Sequence, residues 1–373
     1  MYGAHSGRDV RALLHRTRFD TVMQKGRIVA KAPIVGSTLE EVAAAAGVSR
    51  ATVSRVVNGL DRVSPATRQS VQRAVERLGY TPNRVARSLA TRRTDSVALV
   101  IPEPATKLFG DPFFPRLVTG ISEVLSAADK QLVLLAPQTQ DDEARLERYL
   151  AAAQADGVLL VSLHGDDPLP SDLLRRGIPV VIGGRPTIEG VNHVDVDNVQ
   201  GAMSAVRHLI GLGRRRVATI TGPLDMAVAS DRLEGYRRAL REAGLARDSV
   251  LEASGAFEQE AARRAMSELL DRAPDIDAVF AASDLMAAGA LQALRRAGRR
   301  VPQDVAVVGY DDSLIASSTE PPLSSVRQPT EDMGREMARL LLAVISTPSP
   351  VARRVILDTQ LVIRQSSGGE AAD

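Results

Sequence analysis

The chain contains no cysteine and no tryptophan. Without cysteine, disulfides, zinc fingers, iron–sulfur clusters and thiol nucleophiles are excluded. Aromatic residues are only 3% of the total, so aliphatic side chains and alanine must fill the cores. No apolar run approaches the roughly 20 residues of a membrane span. The basic N-terminus has no continuous apolar stretch behind it and does not read as a secretory signal, so a cytoplasmic location is expected. Nucleotide fingerprints are missing as well: no G-x-G-x-x-G follows the first strand, no Walker lysine is found, and Gly211-Leu212-Gly213 reads as a turn. His5, His15, His164, His193 and His208 show neither metal spacing nor a Ser/Asp constellation, so each reads as solvated or structural. No catalytic residue, cofactor or metal is expected, and an enzyme is not the reading.

What is present is a division of charge. The 373 residues carry a net charge of +2 and are 44% apolar, enough for two or three domains with sizeable cores. Residues 1–95 hold 17 Arg/Lys against 7 Asp/Glu, whereas residues 96–373 hold 30 against 38. One end attracts a polyanion and the remainder repels it.

The stretch that explains the basic end is LEEVAAAAGVSRATVSRVVN, Leu39 to Asn58. Thr38 and Glu41 form a capping box for a first helix. Val42, Ala43 and Ala46 give it a small apolar face, and Gly47 ends it. Ser49 starts a second short helix with Val53 and Val56 inward, stopped by Asn58-Gly59. Two short helices joined by a glycine turn describe a helix-turn-helix. The outward residues Arg50, Ala51, Thr52, Ser54, Arg55 and Asn58 include no acid and suit phosphates and base edges. A helical hairpin with a solvated basic face is the plain alternative. Ser64-Pro65 opens a third helix carrying Val71, Ala74, Val75 and Leu78, closed by Gly79.

Val42-Ala43, Ala46-Gly47-Val48-Ser49, Thr52 to Val56 and Asn58-Gly59 match the signature V-A-x-x-A-G-V-S-x-x-T-V-S-R-V-x-N, so the stretch resembles the LacI/GalR family of bacterial transcription regulators. The resemblance extends over roughly residues 38–366. It implies DNA contacts from Thr38, Ser49, Arg50, Ala51, Thr52, Ser54, Arg55 and Asn58. It also implies a hinge helix in Asn83-Arg84-Val85-Ala86-Arg87-Ser88-Leu89, with Asn83, Arg84 and Ala86 at the DNA and Leu89 wedged into the minor groove. Read without it, this basic segment is a marginal helix or a linker.

From Ser96 onward, apolar runs at 96–102, 131–137, 157–162, 179–184, 216–222, 278–283 and 305–310 alternate with amphipathic segments at 115–128, 141–153, 198–212, 230–244, 258–272 and 285–297. Such alternation predicts an α/β core of two doubly wound halves, with ligand in the crevice at the strand C-termini. Taken alone, Phe113-Phe114, Arg232, Asp284 and Asp311-Asp312 read as loop anchors, helix caps or surface charges, Asp284 as an N-cap. The resemblance implies a periplasmic-binding-protein-like core whose effector, a sugar or related metabolite, meets Arg232 of R-x-x-G-[FY], Asp284 of [ASN]-D-x-x-A-x-G and Asp311 of G-[FY]-D-D. Phe257 maps onto a family aromatic, although Ala256 replaces the usual acid before it. Gln328, in PPLSSVRQP, belongs near the cleft, and Phe113 is a candidate aromatic wall.

The expected organisation is an N-terminal extension (1–37), a helix-turn-helix domain (38–82), a hinge (83–95), a core (96–366) and a polar tail (367–373). Within the core, subdomain 1 takes about 96–195 and 328–352, and subdomain 2 about 196–327 and 353–366. The extension is expected to be largely disordered, either a basic arm or upstream sequence. The expected function is that of a sequence-specific repressor, a homodimer on near-palindromic operator DNA whose affinity is set by an effector in the core cleft, with no membrane partner. A sugar-transport binding protein would share the core without the head, a dehydrogenase needs the missing glycine fingerprint, and a DNA-packaging protein has no use for an acidic sensing core.

Overall fold

The computed structural model describes residues 37–57, 63–80, 93–347 and 351–369. Asn58, Asn83, Arg84, Ala86 and Leu89 fall outside the described residues, as do residues 1–36. The molecule divides into a helical head and a large α/β core.

The head holds α1 (Leu39–Ala46), α2 (Arg50–Val57) and α3 (Pro65–Leu78). The capping box is formed: the Glu41 amide donates to Thr38 Oγ1 at 3.2 Å and the Thr38 amide to Glu41 Oε2 at 2.7 Å. Gly47 takes φ 67°, a left-handed value that turns the chain into α2. Ser64 caps α3 with Pro65 in its first turn. Val42, Ala43, Val53, Val56, Val71 and Ala74 form the buried core, ringed by Ala46, Val48, Val75, Leu78 and Tyr80. Ser37, expected in the extension, belongs to this unit: its hydroxyl donates to the Leu78 carbonyl at 2.7 Å.

The core contains two six-stranded sheets with matching strand order. In the first lobe β1 (Ser96–Val100), β2 (Gln131–Leu135), β3 (Gly157–Val161), β4 (Val180–Gly183), β5 (Asn192–Val196) and β11 (Arg354–Leu357) pair in the order β11-β5-β4-β3-β1-β2. In the second, β6 (Val217–Thr221), β7 (Glu252–Ser254), β8 (Ala278–Ala281), β9 (Ala306–Asp311), β10 (Ser324–Arg327) and β12 (Gln360–Val362) pair in the order β12-β10-β9-β8-β6-β7. All neighbours are parallel except β12 against β10. The first-lobe helices are α4 (Ala105–Gly110), α5 (Phe113–Ala127), α6 (Gln140–Ala151), α7 (Leu169–Arg175) and, later in the chain, α13 (Thr330–Ser346). Those of the second lobe are α8 (Asn198–Gly211), α9 (Ala227–Glu242), α10 (Gln259–Arg272), α11 (Asp284–Arg296) and α12 (Leu314–Ser318).

Strand alternation explains the layering. Val97, Leu99 and Ile101 face one helical layer with Leu117, Ile121, Met337 and Leu341, while Ala98 and Val100 face the other with Leu146, Leu150 and Leu173. The second sheet splits likewise between Ile220, Val279 and Val307 on one face and Val217, Phe280 and Val308 on the other.

Two further expected boundaries need correction. Residues 354–357 are not part of the second lobe, because β11 pairs with β5 from Arg354↔His193 to Leu357↔Val196. The tail does not begin at Ser367: that residue is buried, and its hydroxyl lies 2.7 Å from that of Ser324 and 2.8 Å from His208 Nε2.

Candidate functional site

In the head, Thr38, Ser49, Arg50, Ala51 and Arg55 are exposed, and Thr52 and Ser54 are half-buried. Ser49 Oγ accepts from the Thr52 amide at 3.1 Å, so the serine anchors the first turn of α2. Arg50 pairs with Glu40 at 3.1 Å on the surface. That pair must exchange for a phosphate or base edge when Arg50 meets DNA, at little cost because both groups are solvated.

A cavity lies between the lobes, at the C-terminal ends of strands from both sheets, and with its mouth measures about 1080 Å³. One wall is polar and belongs mostly to the second lobe. Asp195 on β5 accepts from the Val196 amide at 2.8 Å and from Asn198 Nδ2 at 3.0 Å. Asn198 Oδ1 accepts in turn from Arg232 Nε at 2.9 Å. Arg232 is buried in the second turn of α9, donates to the Ala282 carbonyl at 2.6 Å, lies 3.6 Å from Asp311 Oδ1 and stacks 3.6 Å above the Tyr310 ring. Gln328 Nε2 donates to Asp311 Oδ1 at 2.5 Å. Burial pushes the Asp195 carboxyl up to about 6 and raises Asp111. Asp311 is raised well above the carboxylate range by burial, with the Arg232 charge opposing that shift.

Apolar side chains from both lobes, Phe113, Phe114, Val161, Ile182, Met226, Val228, Phe257 and Met333, complete the lining. Phe113 and Phe114 meet edge to face at 5.4 Å. Phe257 sits at φ 56° with its ring against Gly222, where a Cβ would come within 2.1 Å of it. Contacts also cross between the lobes. His164 Nδ1 lies 2.9 Å from Asp225 Oδ2, the Gly165 amide donates to the Asp225 carbonyl at 3.0 Å, and Arg185 makes a two-pronged pair with Asp231 at 2.8 and 2.9 Å.

Five of the six expected core residues (Phe113, Arg232, Phe257, Asp311 and Gln328) therefore line one cavity. Asp284 does not reach it. It is fully buried beneath the end of β9, and Ser283, not Asp284, caps α11 by accepting from the Met286 amide. The sequence reading missed Asp111, Asp195, Asn198 and the cross-lobe groups His164, Arg185, Asp225 and Asp231. Asp111 stood in the GDPFFP motif beside the chosen Phe113. Asp195 and Asn198 lie in NHVDVDN, whose mixed polarity hides the strand.

A helix-turn-helix head on a two-lobed α/β core with a polar cavity between the lobes defines the class of ligand-responsive DNA-binding regulators. The models of bacterial regulatory proteins of the lacI family and of the periplasmic binding protein-like domain match residues 38–83 and 206–367. The HTH-type transcriptional regulator CelR of Thermobifida fusca is 55% identical over 332 residues, 88% of this chain and 98% of that protein. A solved CelR–cellobiose complex superposes with a TM-score of 0.72 at 53% identity, covering 89% of this chain and 100% of that one. The lac repressor dimer bound to operator and the anti-inducer ONPF gives 0.77 at 26% identity, covering 89% and 99%. The chain belongs to the lacI family and is a DNA-binding transcriptional regulator with an effector cavity in its core. Among the described residues, no helix is long and apolar enough to cross a membrane.

Proposed function

We propose that this protein is a non-enzymatic, cytoplasmic repressor that binds a near-palindromic operator as a homodimer and whose operator affinity is set by a neutral sugar, with cellobiose the first candidate. The observation that carries the effector reading is the make-up of the cavity. Two buried carboxylates, Asp195 and Asp311, and the half-buried Asp111 share the cavity lining with Asn198, Gln328 and Arg232 and with aromatic and aliphatic side chains. Hydrogen-bonding groups together with aromatic and aliphatic surface in one cavity suit a sugar's hydroxyls and its C–H faces. A sugar phosphate would meet the carboxylates, and the charge of Arg232 is already balanced by Asp311. The likeness to a regulator solved with cellobiose supports a glucose disaccharide in particular.

In this reading Phe113 and Phe257 pack on the sugar rings, and Arg232, Asp311 and Gln328 bind hydroxyls. Thr38, Ser49, Arg50, Ala51, Thr52, Ser54, Arg55 and Asn58 contact the operator's major groove, and Asn83, Arg84, Ala86 and Leu89 its centre. The effector acts only through unequal affinity for the operator-bound and free states. Operator selection from random DNA, followed by titration of the complex with cellobiose, tests it. A selected palindrome and a change in affinity with cellobiose are expected. A selected operator indifferent to cellobiose and to a panel of related sugars removes the sugar reading.

A further inference from the structure

We infer that Asp284 is a positioning residue: it never touches the effector but holds the backbone corner that presents Asp311 to it. The carboxylate is buried on every side, and both oxygens are occupied. Oδ2 accepts from the Ser313 amide at 2.7 Å and from its hydroxyl at 3.0 Å, and Oδ1 accepts from the Ser325 hydroxyl at 2.5 Å. The same Ser325 oxygen accepts from the Asp312 amide at 3.0 Å. Asp284 thereby secures two consecutive backbone amides just past Asp311.

That corner needs securing. Asp311 has φ 109° and Asp312 φ 48°, two adjacent non-glycine residues in a region that L side chains rarely adopt. Asp311 turns toward the cavity with Gln328 and Arg232, while Asp312 turns away to pair with Arg327 and Arg364 at 2.7 Å each. Neighbouring sequence fits the same purpose: at Gly309 any Cβ would lie 2.5 Å from Asp284 Oδ1, so glycine makes room for the carboxylate. Without Asp284 the Ser313 and Ser325 groups lose a buried acceptor and the corner relaxes.

The inference rests on the cavity being the effector site, and its test has an arm independent of any sugar. Full-length wild type, Asp284→Ala, Asp284→Asn, Asp311→Asn and the Asp284→Ala/Asp311→Asn double variant are compared by calorimetry with cellobiose and by hydrogen exchange without it. Asp284→Ala is expected to weaken cellobiose roughly ten- to hundredfold, with Asp284→Asn recovering most of the loss. In the Asp311→Asn background the alanine change should add little, because both act through one group. The Asp312 and Ser313 amides should exchange faster in Asp284→Ala. Additive losses, an asparagine as damaging as alanine, or unchanged exchange at these amides would each overturn the assignment. If wild type ignores cellobiose, that sugar fails as the effector and the exchange arm alone decides. Should Asp284→Ala not fold, Ser325→Ala removes only the link to the Asp312 amide and carries the same exchange and affinity test.

Discussion

Replacing Arg232 by alanine is the sharpest test of the polar wall. The guanidinium is buried, and the change removes donors to Asn198 and Ala282, the charge 3.6 Å from Asp311 and a cation stacked on Tyr310. Removing one member of a buried ion pair typically costs about 3–5 kcal/mol, because the survivor stays charged without compensation. Loss of the stacked cation adds up to about 2 kcal/mol. A net destabilisation of roughly 3–5 kcal/mol is expected, since Asp311 can escape part of the penalty by taking a proton. That escape sets the sign of the pH dependence. Asp311 already has a folded-state pKa above its unfolded value, and removing Arg232 raises it further. The penalty of the ionised group is therefore full above the folded pKa and vanishes below the unfolded one. The gap between wild type and Arg232→Ala in urea denaturation should narrow as the pH is lowered from 8 toward 4. Adding Asp311→Asn should restore much of the stability at pH 8 but not cellobiose binding. A deficit that does not change with pH, or no deficit at all, would refute this account of the wall.

Three further outcomes follow from the same geometry. Asp195, raised to about 6, is mostly ionised at pH 7.5 and mostly neutral at pH 5, so losing a hydroxyl acceptor should weaken cellobiose roughly three- to tenfold over that range; calorimetry on Asp195→Asn should show a smaller change between the two pH values than wild type. Arg185→Ala removes the two-pronged pair with Asp231 across the lobes. Both groups are partly solvated, so stability should move by less than about 1 kcal/mol while the effector dissociates several-fold faster in stopped flow, and an unchanged off-rate would make the pair ornamental. Arg55→Ala should lose about 1–3 kcal/mol per half-site and relax one base position; equal weakening on all sequences would make Arg55 a phosphate contact.

How far the sequence could be read depended on whether the signal was local. The head was legible because its punctuation is local: Thr38 with Glu41, Gly47 and Ser64-Pro65 each act within a few residues, and each sits where expected. The buried parallel strands were legible as continuous apolar runs. β5 (NHVDV), β7 (EAS) and β10 (SSVR) were not, since sheet partners rather than their own pattern make them strands. α13 was missed although Met333, Met337, Leu340 and Leu341 carry a helical stripe. Of the cavity, Arg232, Asp311 and Gln328 came from motif resemblance, with chemistry that residue type alone left open. Asp284 shows the limit: its motif marked it as an effector contact, but its carboxylate is taken up by hydroxyls 29 and 41 residues away, at Ser313 and Ser325.

The same long-range placement explains how a ligand in this cavity can act on the whole core. The chain passes between lobes three times: from β5 to α8, from β10 to α13 and from β11 to β12. Asp195 and Asn198 flank the first passage and Gln328 lies on the second, and both reach Arg232 or Asp311 in the second lobe. Among the described residues, part of the polar lining is thus built from the segments that join the lobes. A ligand whose hydroxyls join these groups favours one setting of the passages over another, and its leverage is the difference in affinity between the two settings. Linkage makes the effect reciprocal: if cellobiose changes operator affinity by some factor, operator DNA must change cellobiose affinity by the same factor. Calorimetry of cellobiose with and without saturating operator measures that factor directly, and unequal factors in the two directions would mean that a further ligand or assembly step is coupled in.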